Sequence, residues 1–228
     1  MSVPLTFKSN TTRLSEIYTK AGDLGSYSTL VGISPDHDLG FTVLAAGEKP
    51  GDTRTLLGSL VAESWVAAAE EAAREEVAKK LVGTYRAPDS NNSFLTLSLD
   101  PENAGITLNY TYAGTTLTEM LKSVSSPSRV NASTSIDFQL FYMGLKSAAA
   151  GRNGTKRLGF RATFELLPYP EAQSRPPYDL AGCPTWLLAT SLQLNGIGLD
   201  DFEILVDGEG NGREVVAKGF RQRLVRVA

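Results

Sequence analysis

The stretch Leu158-Gly159-Phe160-Arg161-Ala162-Thr163-Phe164-Glu165-Leu166-Leu167 decides the fold class. Phe160, Ala162, Phe164 and Leu166 recur two apart, with Arg161, Thr163 and Glu165 between them. Successive side chains of a strand leave opposite faces, so this spacing predicts a half-buried β-strand with one apolar side. Working outward, Leu95, Leu97 and Leu99 repeat the alternation within 94–99. Further strands are predicted over 106–112, 135–142, 186–194, 202–206 and 214–227. With no helical pattern among them, these segments predict a barrel or sandwich. The longest irregular stretch, 168–184, contains Pro170, Pro176 and Pro177, and its length suits a lid, a binding loop or a disordered segment.

Ahead of this β-rich region, segments 15–20, 27–34 and 41–46 are rich in β-branched and aromatic residues and read as strands. The turn formers Ser34-Pro35-Asp36-His37-Asp38-Leu39-Gly40 predict an antiparallel hairpin between the last two. One strong helix is predicted over 55–81, where Val66, Ala69, Ala73, Val77 and Leu81 recur at three and four. Glu75 with Lys79 and Glu76 with Lys80 support it at i, i+4, Asp52 or Thr53 caps its start, and Gly83 closes its end. Glu70, Glu71, Glu75 and Glu76 read as a solvated helix face, since no histidine joins them. The fold class is therefore α+β, predominantly antiparallel β.

Composition narrows the functions. A net charge of −3 leaves no excess of Lys and Arg to displace phosphate counterions, which argues against nucleic acid. No apolar run approaches a membrane span, and the opening Met1-Ser2-Val3-Pro4-Leu5-Thr6-Phe7-Lys8 does not read as a signal peptide. A cytoplasmic location is expected. Against it, Asn10, Asn91, Asn109, Asn131 and Asn153 each begin an N-x-S/T sequon, which suits either secreted ancestry or Asn, Ser and Thr at β-turns. Cys183 is the single cysteine and His37 the single histidine, so neither an internal disulfide nor a Cys- or His-based metal site is expected, nor any cofactor. Ser-His-Asp chemistry would have to use His37 itself.

Motifs of nucleophilic hydrolysis are missing: the sequence contains no Ser-x-x-Lys, Tyr-x-Asn or G-x-S-x-G. The run Gly208-Glu209-Gly210-Asn211-Gly212 lies between strand patterns with no helix behind it, so a β-turn rather than a phosphate loop is expected. What remains is Tyr18-Thr19-Lys20-Ala21-Gly22-Asp23-Leu24-Gly25-Ser26-Tyr27-Ser28, then Pro35 to Gly47. Here the chain resembles fungal β-lactamase-related proteins with the architecture of class C β-lactamases and penicillin-binding esterases. In those proteins a Lys-Ser/Thr-Gly box on an edge strand lines the active site. A hairpin strand, a long helix and a lipocalin-like β domain follow. The resemblance implies a remnant of the β-lactamase-like region over 1–83 and a lipocalin-like C-terminal β domain over 84–228. Lys20-Ala21-Gly22 falls at the third box, with Ala21 in place of the hydroxyl residue. The family's nucleophile and tyrosine boxes lie upstream of where this chain begins, so acyl-enzyme hydrolysis by this chain alone is not expected.

Tyr18 and Lys20, two apart, should leave one strand face, which in that architecture looks into the substrate cleft. Both can donate to a substrate carbonyl, and Asp23 could orient Lys20 or act as a base; these are the catalytic candidates. Tyr27, His37, Tyr142 and Trp186 are the substrate-binding candidates, and the bland alternatives are a solvated edge lysine, turn residues and core aromatics. The resulting expectation is a cofactor-independent cyclase or isomerase of fungal secondary metabolism, of Diels-Alder type or related, acting on a small apolar metabolite. A non-catalytic binding or accessory module and a fragment of a serine hydrolase are the alternatives. A homodimer is expected, because a surface once covered by the lost part must be buried.

Overall fold

The computed structural model describes residues 2–6, 12–89, 92–101, 103–124, 135–147, 154–167, 193–194 and 196–227. They form two compact units, Met1–Val77 with Pro101–Ala104, and Ala78–Asp100 with Gly105–Ala228.

In the first unit, β1 (Ser2–Thr6) and β2 (Thr12–Glu16) pair antiparallel. A separate three-stranded sheet runs β3 (Tyr18–Leu24), β4 (Tyr27–Ser34), β5 (Leu39–Ala46), all antiparallel. The segment expected as one strand over 15–20 is thus divided between β2 and β3, and β3 continues to Leu24. The turn comes at Gly25-Ser26, where Gly25 supplies the positive φ of 57° that a tight hairpin needs. The predicted β4–β5 hairpin is present, closed by a 3₁₀ turn at Pro35–His37 with Asp38 left-handed at φ 51°. Helix α1 (Pro50–Lys80) begins a turn earlier than expected. Pro50 suits the first turn because its missing N–H would have no partner there. Its buried stripe is Gly58, Ala62 and Val66 at i, i+4 spacing, whereas Ala73 is exposed. A Cβ on Gly58 would collide with Leu30, so glycine here is what lets the sheet approach the helix. Val3, Ile17, Ala62 and Val66, with Phe41 against them, form the core. Full burial of a valine-sized side chain contributes about 1.5–3 kcal/mol.

The second unit contains β6 (Gly83–Arg86), β7 (Phe94–Ser98), β8 (Ile106–Tyr112), β9 (Thr115–Thr116), α2 (Leu117–Val124), β10 (Ser135–Lys146), β11 (Lys156–Leu167), β12 (Gln193–Leu194), β13 (Ile197–Gly198), β14 (Asp201–Val206), β15 (Gly212–Ala217) and β16 (Gln222–Arg226). The sheet order is β10-β11-β14-β15-β16-β6-β7-β8-β9, and β10 also pairs with β8 through Gln139↔Thr107 and Leu140↔Ile106. That second pairing closes eight antiparallel strands into a barrel. Tyr85, Leu95, Leu97, Leu108, Leu140, Phe202, Ile204, Val215 and Leu224 are almost wholly buried, so side chains fill the interior. Eight strands leave an interior about wide enough for that.

Three features of this unit depart from expectation. The segment 214–227 is not one strand but the hairpin β15–β16, turned at Lys218-Gly219-Phe220-Arg221. Helix α2 interrupts the strands, started by a capping box: the Thr116 N–H and hydroxyl both donate to Glu119 Oε2 (2.8 and 2.7 Å), and the Glu119 N–H donates to Thr116 Oγ1. At the end of α1, Gly83 is not the cap. The Arg226 guanidinium donates to the carbonyl of Lys80 (2.8 Å), one of those a helix end leaves without a partner, and to that of Val82 (2.6 Å) just beyond it. The Gly208–Gly212 run is a turn, as expected, held by Asp207, whose carboxylate accepts from the Glu209 and Asn211 N–H groups. The stretch 168–184 lies outside the described residues.

Candidate functional site: the outward face of the three-stranded sheet

Register decides which side chains share a face. Tyr18↔Ile33, Lys20↔Val31, Gly22↔Thr29 and Leu24↔Tyr27 pair across β3–β4, and the same rows continue to Gly40, Thr42, Leu44 and Ala46 of β5. Directly opposed residues point the same way. The other face turns toward α1: Leu30 reaches Gly58, Phe41 stacks edge-on with Trp65 at 6.3 Å, and Asp23 meets Arg54 at 3.0 Å. The first face therefore points away from the helix. Tyr18 is 63 % exposed, Tyr27 65 %, Leu44 75 % and Leu24 81 %, with Val31 and Ile33 also exposed. The face thus carries a contiguous run of exposed apolar side chains with two phenols and a lysine among them, rather than scattered surface hydrophobics.

Tyr18 and Lys20 thus stand on the same face, about 7 Å apart along the strand. Lys20 Nζ donates to the Ala21 carbonyl at 2.6 Å, which leaves further ammonium protons to donate outward. Tyr27 shares the face but sits two rows beyond Lys20. Asp23 does not join them. Its odd position turns it to the helix side, where buried Ser28 donates to its carboxylate and Arg54 pairs with it. The Ser28 hydrogen bond, opposed by partial desolvation and aided by Arg54, holds the Asp23 carboxyl below the usual carboxylate range. Asp23 is thus an acceptor already engaged, not a free base.

His37 also turns to the helix side. The Ser34 hydroxyl lies 3.0 Å from Nδ1, and Nε2 lies 3.2 Å from Glu70 Oε2. The helix face expected to be solvated is therefore joined by the histidine at Glu70. The chain Ser34–His37–Glu70 has the connectivity of a hydrolase triad, but Ser34 is only 5 % exposed. A nucleophile needs access to a reacting carbon, so the three groups act as a clamp tying the β4–β5 turn to α1. Sequence reading missed Glu70, Ser28 and Arg54 as partners. Only the Asp-Ser spacing across the Gly25-Ser26 turn carried a local signal.

Tyr142 belongs to the barrel unit, where it stacks on Phe160 at 5.5 Å and is half exposed. Tyr110, which is buried, is core: its hydroxyl donates to Gln222 Oε1 at 2.7 Å and burial raises its pKa. Trp186 lies outside the described residues. Among the described residues no group of three or more His, Cys, Asp and Glu side chains is placed to hold a metal ion, and no helix is long and apolar enough to cross a membrane.

A closed eight-stranded antiparallel barrel, entered from a sheet-and-helix unit, is the class of protein the architecture defines. Residues 73–228 match the sequence model of the family described as "Beta-lactamase-like-like, C-terminal domain", and the chain belongs to that family. The match spans the whole of the barrel unit, and Tyr18 to Gly47 lies outside it. Comparison with curated proteins and with solved structures found no match.

Proposed function

We propose that the outward face of β3, β4 and β5 holds an apolar small molecule, and that Tyr18 and Lys20 polarise a carbonyl on it, promoting cyclisation or isomerisation rather than hydrolysis. The observation that carries this reading is the pairing of two hydrogen-bond donors, two residues apart, with an exposed apolar surface on one sheet face. Donors of this kind stabilise negative charge developing on oxygen, and apolar rows beside them supply orientation without a nucleophile. Ala21, in place of the hydroxyl residue of the third box, also favours a non-hydrolytic role. Diels-Alder-type closure of a conjugated carbonyl compound fits these requirements, as the work of a cyclase in secondary metabolism.

The test is turnover of a panel of conjugated, ring-forming carbonyl compounds by the whole chain, read by product mass and chromatography. Loss of a placed proton donor should slow the reaction by about 10²–10⁴-fold in Tyr18→Phe or Lys20→Ala. Unchanged rates in both variants would overturn the assignment.

A second reading is favoured by the bare rows beyond Lys20, where Leu24, Tyr27 and Leu44 are exposed without an evident catalytic use. In it, the face is one wall of a β-lactamase-like hydrolase site whose nucleophile comes from other residues, and the chain is an accessory to that site. Labelling of the assembled protein by a serine-reactive probe, with ester turnover lost in Lys20→Ala, would favour this reading over the first.

A further inference from the structure

We infer that the barrel unit carries a separate binding site for a small aromatic zwitterion, the chemistry of an aromatic amino acid, in the cavity beside the β15–β16 turn. This cavity is about 530 Å³ and is lined by Ala87, Asp89, Tyr112, Phe220, Arg221 and Gln222, among others. That volume falls within the range of small-ligand pockets, roughly 300–1,000 Å³.

Its lining has three parts of different chemistry. Tyr112 and Phe220 give an aromatic floor, their ring centroids 5.0 Å apart, and Tyr110 braces Phe220 edge-on at 5.0 Å. A third planar group can extend this cluster by offset or edge contact. Arg221 and Asp89 supply one cation and one anion. Among the described residues neither makes an ion pair, whereas neighbouring Arg223 is taken up by Glu214 and neighbouring Lys218 by Glu203 and Asp201. A guanidinium matches a carboxylate by paired hydrogen bonds, and a carboxylate accepts from an ammonium, so the two opposite charges on this lining are complementary to both ends of a zwitterion. The Gln222 amide is fixed from behind, since its Oε1 accepts from Tyr110, and its N–H groups are left to donate.

The backbone supports the assignment. Arg221 has φ 50°, a left-handed conformation that glycine or asparagine would hold at lower cost. The turn is locked by the Arg221 N–H donating to the Lys218 carbonyl at 3.0 Å, and a Cβ on Gly219 would lie 2.7 Å from the Gly198 carbonyl. A long cationic side chain is therefore kept at a strained position on a pinned turn, at the rim of the cavity. Strain of this kind collects where function fixes a residue.

Titration calorimetry of the whole chain with L-phenylalanine, 3-phenylpropionate and phenethylamine separates the contributions. Phenylalanine should bind tightest, the other two each losing roughly tenfold or more for the missing charged partner. Arg221→Gln should weaken phenylalanine and phenylpropionate and leave phenethylamine unchanged; Asp89→Asn should weaken phenylalanine and phenethylamine and leave phenylpropionate unchanged. Arg221→Gly guards against a folding artefact, because it relieves the strained φ and should melt no lower than the parent while binding is lost. Phenylalanine binding no tighter than its two one-ended analogues would overturn the inference, as would affinity that survives in both Arg221→Gly and Asp89→Asn.

Discussion

Replacing Arg226 by methionine should destabilise the barrel by about 3 kcal/mol through the loss of a helix cap. The side chain donates to the Lys80 carbonyl at 2.8 Å and the Val82 carbonyl at 2.6 Å, with a longer contact to the Gly212 carbonyl at 3.4 Å. Each hydrogen bond involving a charged group contributes about 1.5–3 kcal/mol, and the two short ones set the scale. Their partly buried setting lets water recover some of the loss, which places the sum at the lower end. Methionine keeps the apolar stem and removes only the donors and the charge that faces the helix C-terminus. For a domain of about 150 residues this corresponds to a fall in Tm of roughly 6–12 °C. Urea denaturation followed by circular dichroism reads the change as a lower midpoint at unchanged slope, and Arg226→Lys, with one compact donor group, should fall between. A loss under about 1 kcal/mol in Arg226→Met would refute the cap, as would equal losses in the two variants.

Other outcomes follow from local features. Ser15 is fully buried and its hydroxyl has no partner among the described residues, so Ser15→Ala should raise stability by about 1 kcal/mol, and a lower denaturation midpoint would contradict this. Desolvation alone would raise the Asp207 pKa, but hydrogen bonds from Asn211, Arg213 and Glu209 bring it down to about 2 from an ordinary 3.8. A depressed folded-state pKa stabilises above the unfolded value, so this contribution is fully present above 3.8 and is lost as pH falls toward 2. Asp207→Asn should therefore flatten the acid limb of the stability profile in that window, and an unchanged limb would count against the network. The exposed apolar rows should drive concentration-dependent self-association that Leu44→Glu weakens. Sedimentation showing only monomer for both proteins at every concentration would exclude it.

Much of this fold was legible because alternation is a local property. Strands 27–34 and 106–112 were readable to the residue, since apolar runs there end at turn formers. The β15–β16 turn was not, because its left-handed position is held by Arg221, where Gly or Asn would have signalled it. Helix α2, only eight residues long, hid among strands, although Thr116-x-x-Glu119 carried its capping signature. In the candidate site, the shared face of Tyr18 and Lys20 follows from their spacing, and the same parity would have turned Asp23 away. The link between His37 and Glu70 joins residues far apart in sequence through tertiary packing, which no local pattern encodes.

The pairing of β16 with β6 bears on how the protein is made. Val225↔Arg86 and Arg226↔Tyr85 join the first barrel strand to the last. During synthesis, strand β6 must wait with one edge unpaired until the ribosome has released Arg226, and every intermediate until then is an open sheet. Contacts this distant in sequence make for slow folding and a long exposure of strand edges. Nascent chains stalled before Gln222 should therefore be protease-sensitive and chaperone-bound, and protection should arrive in one late step.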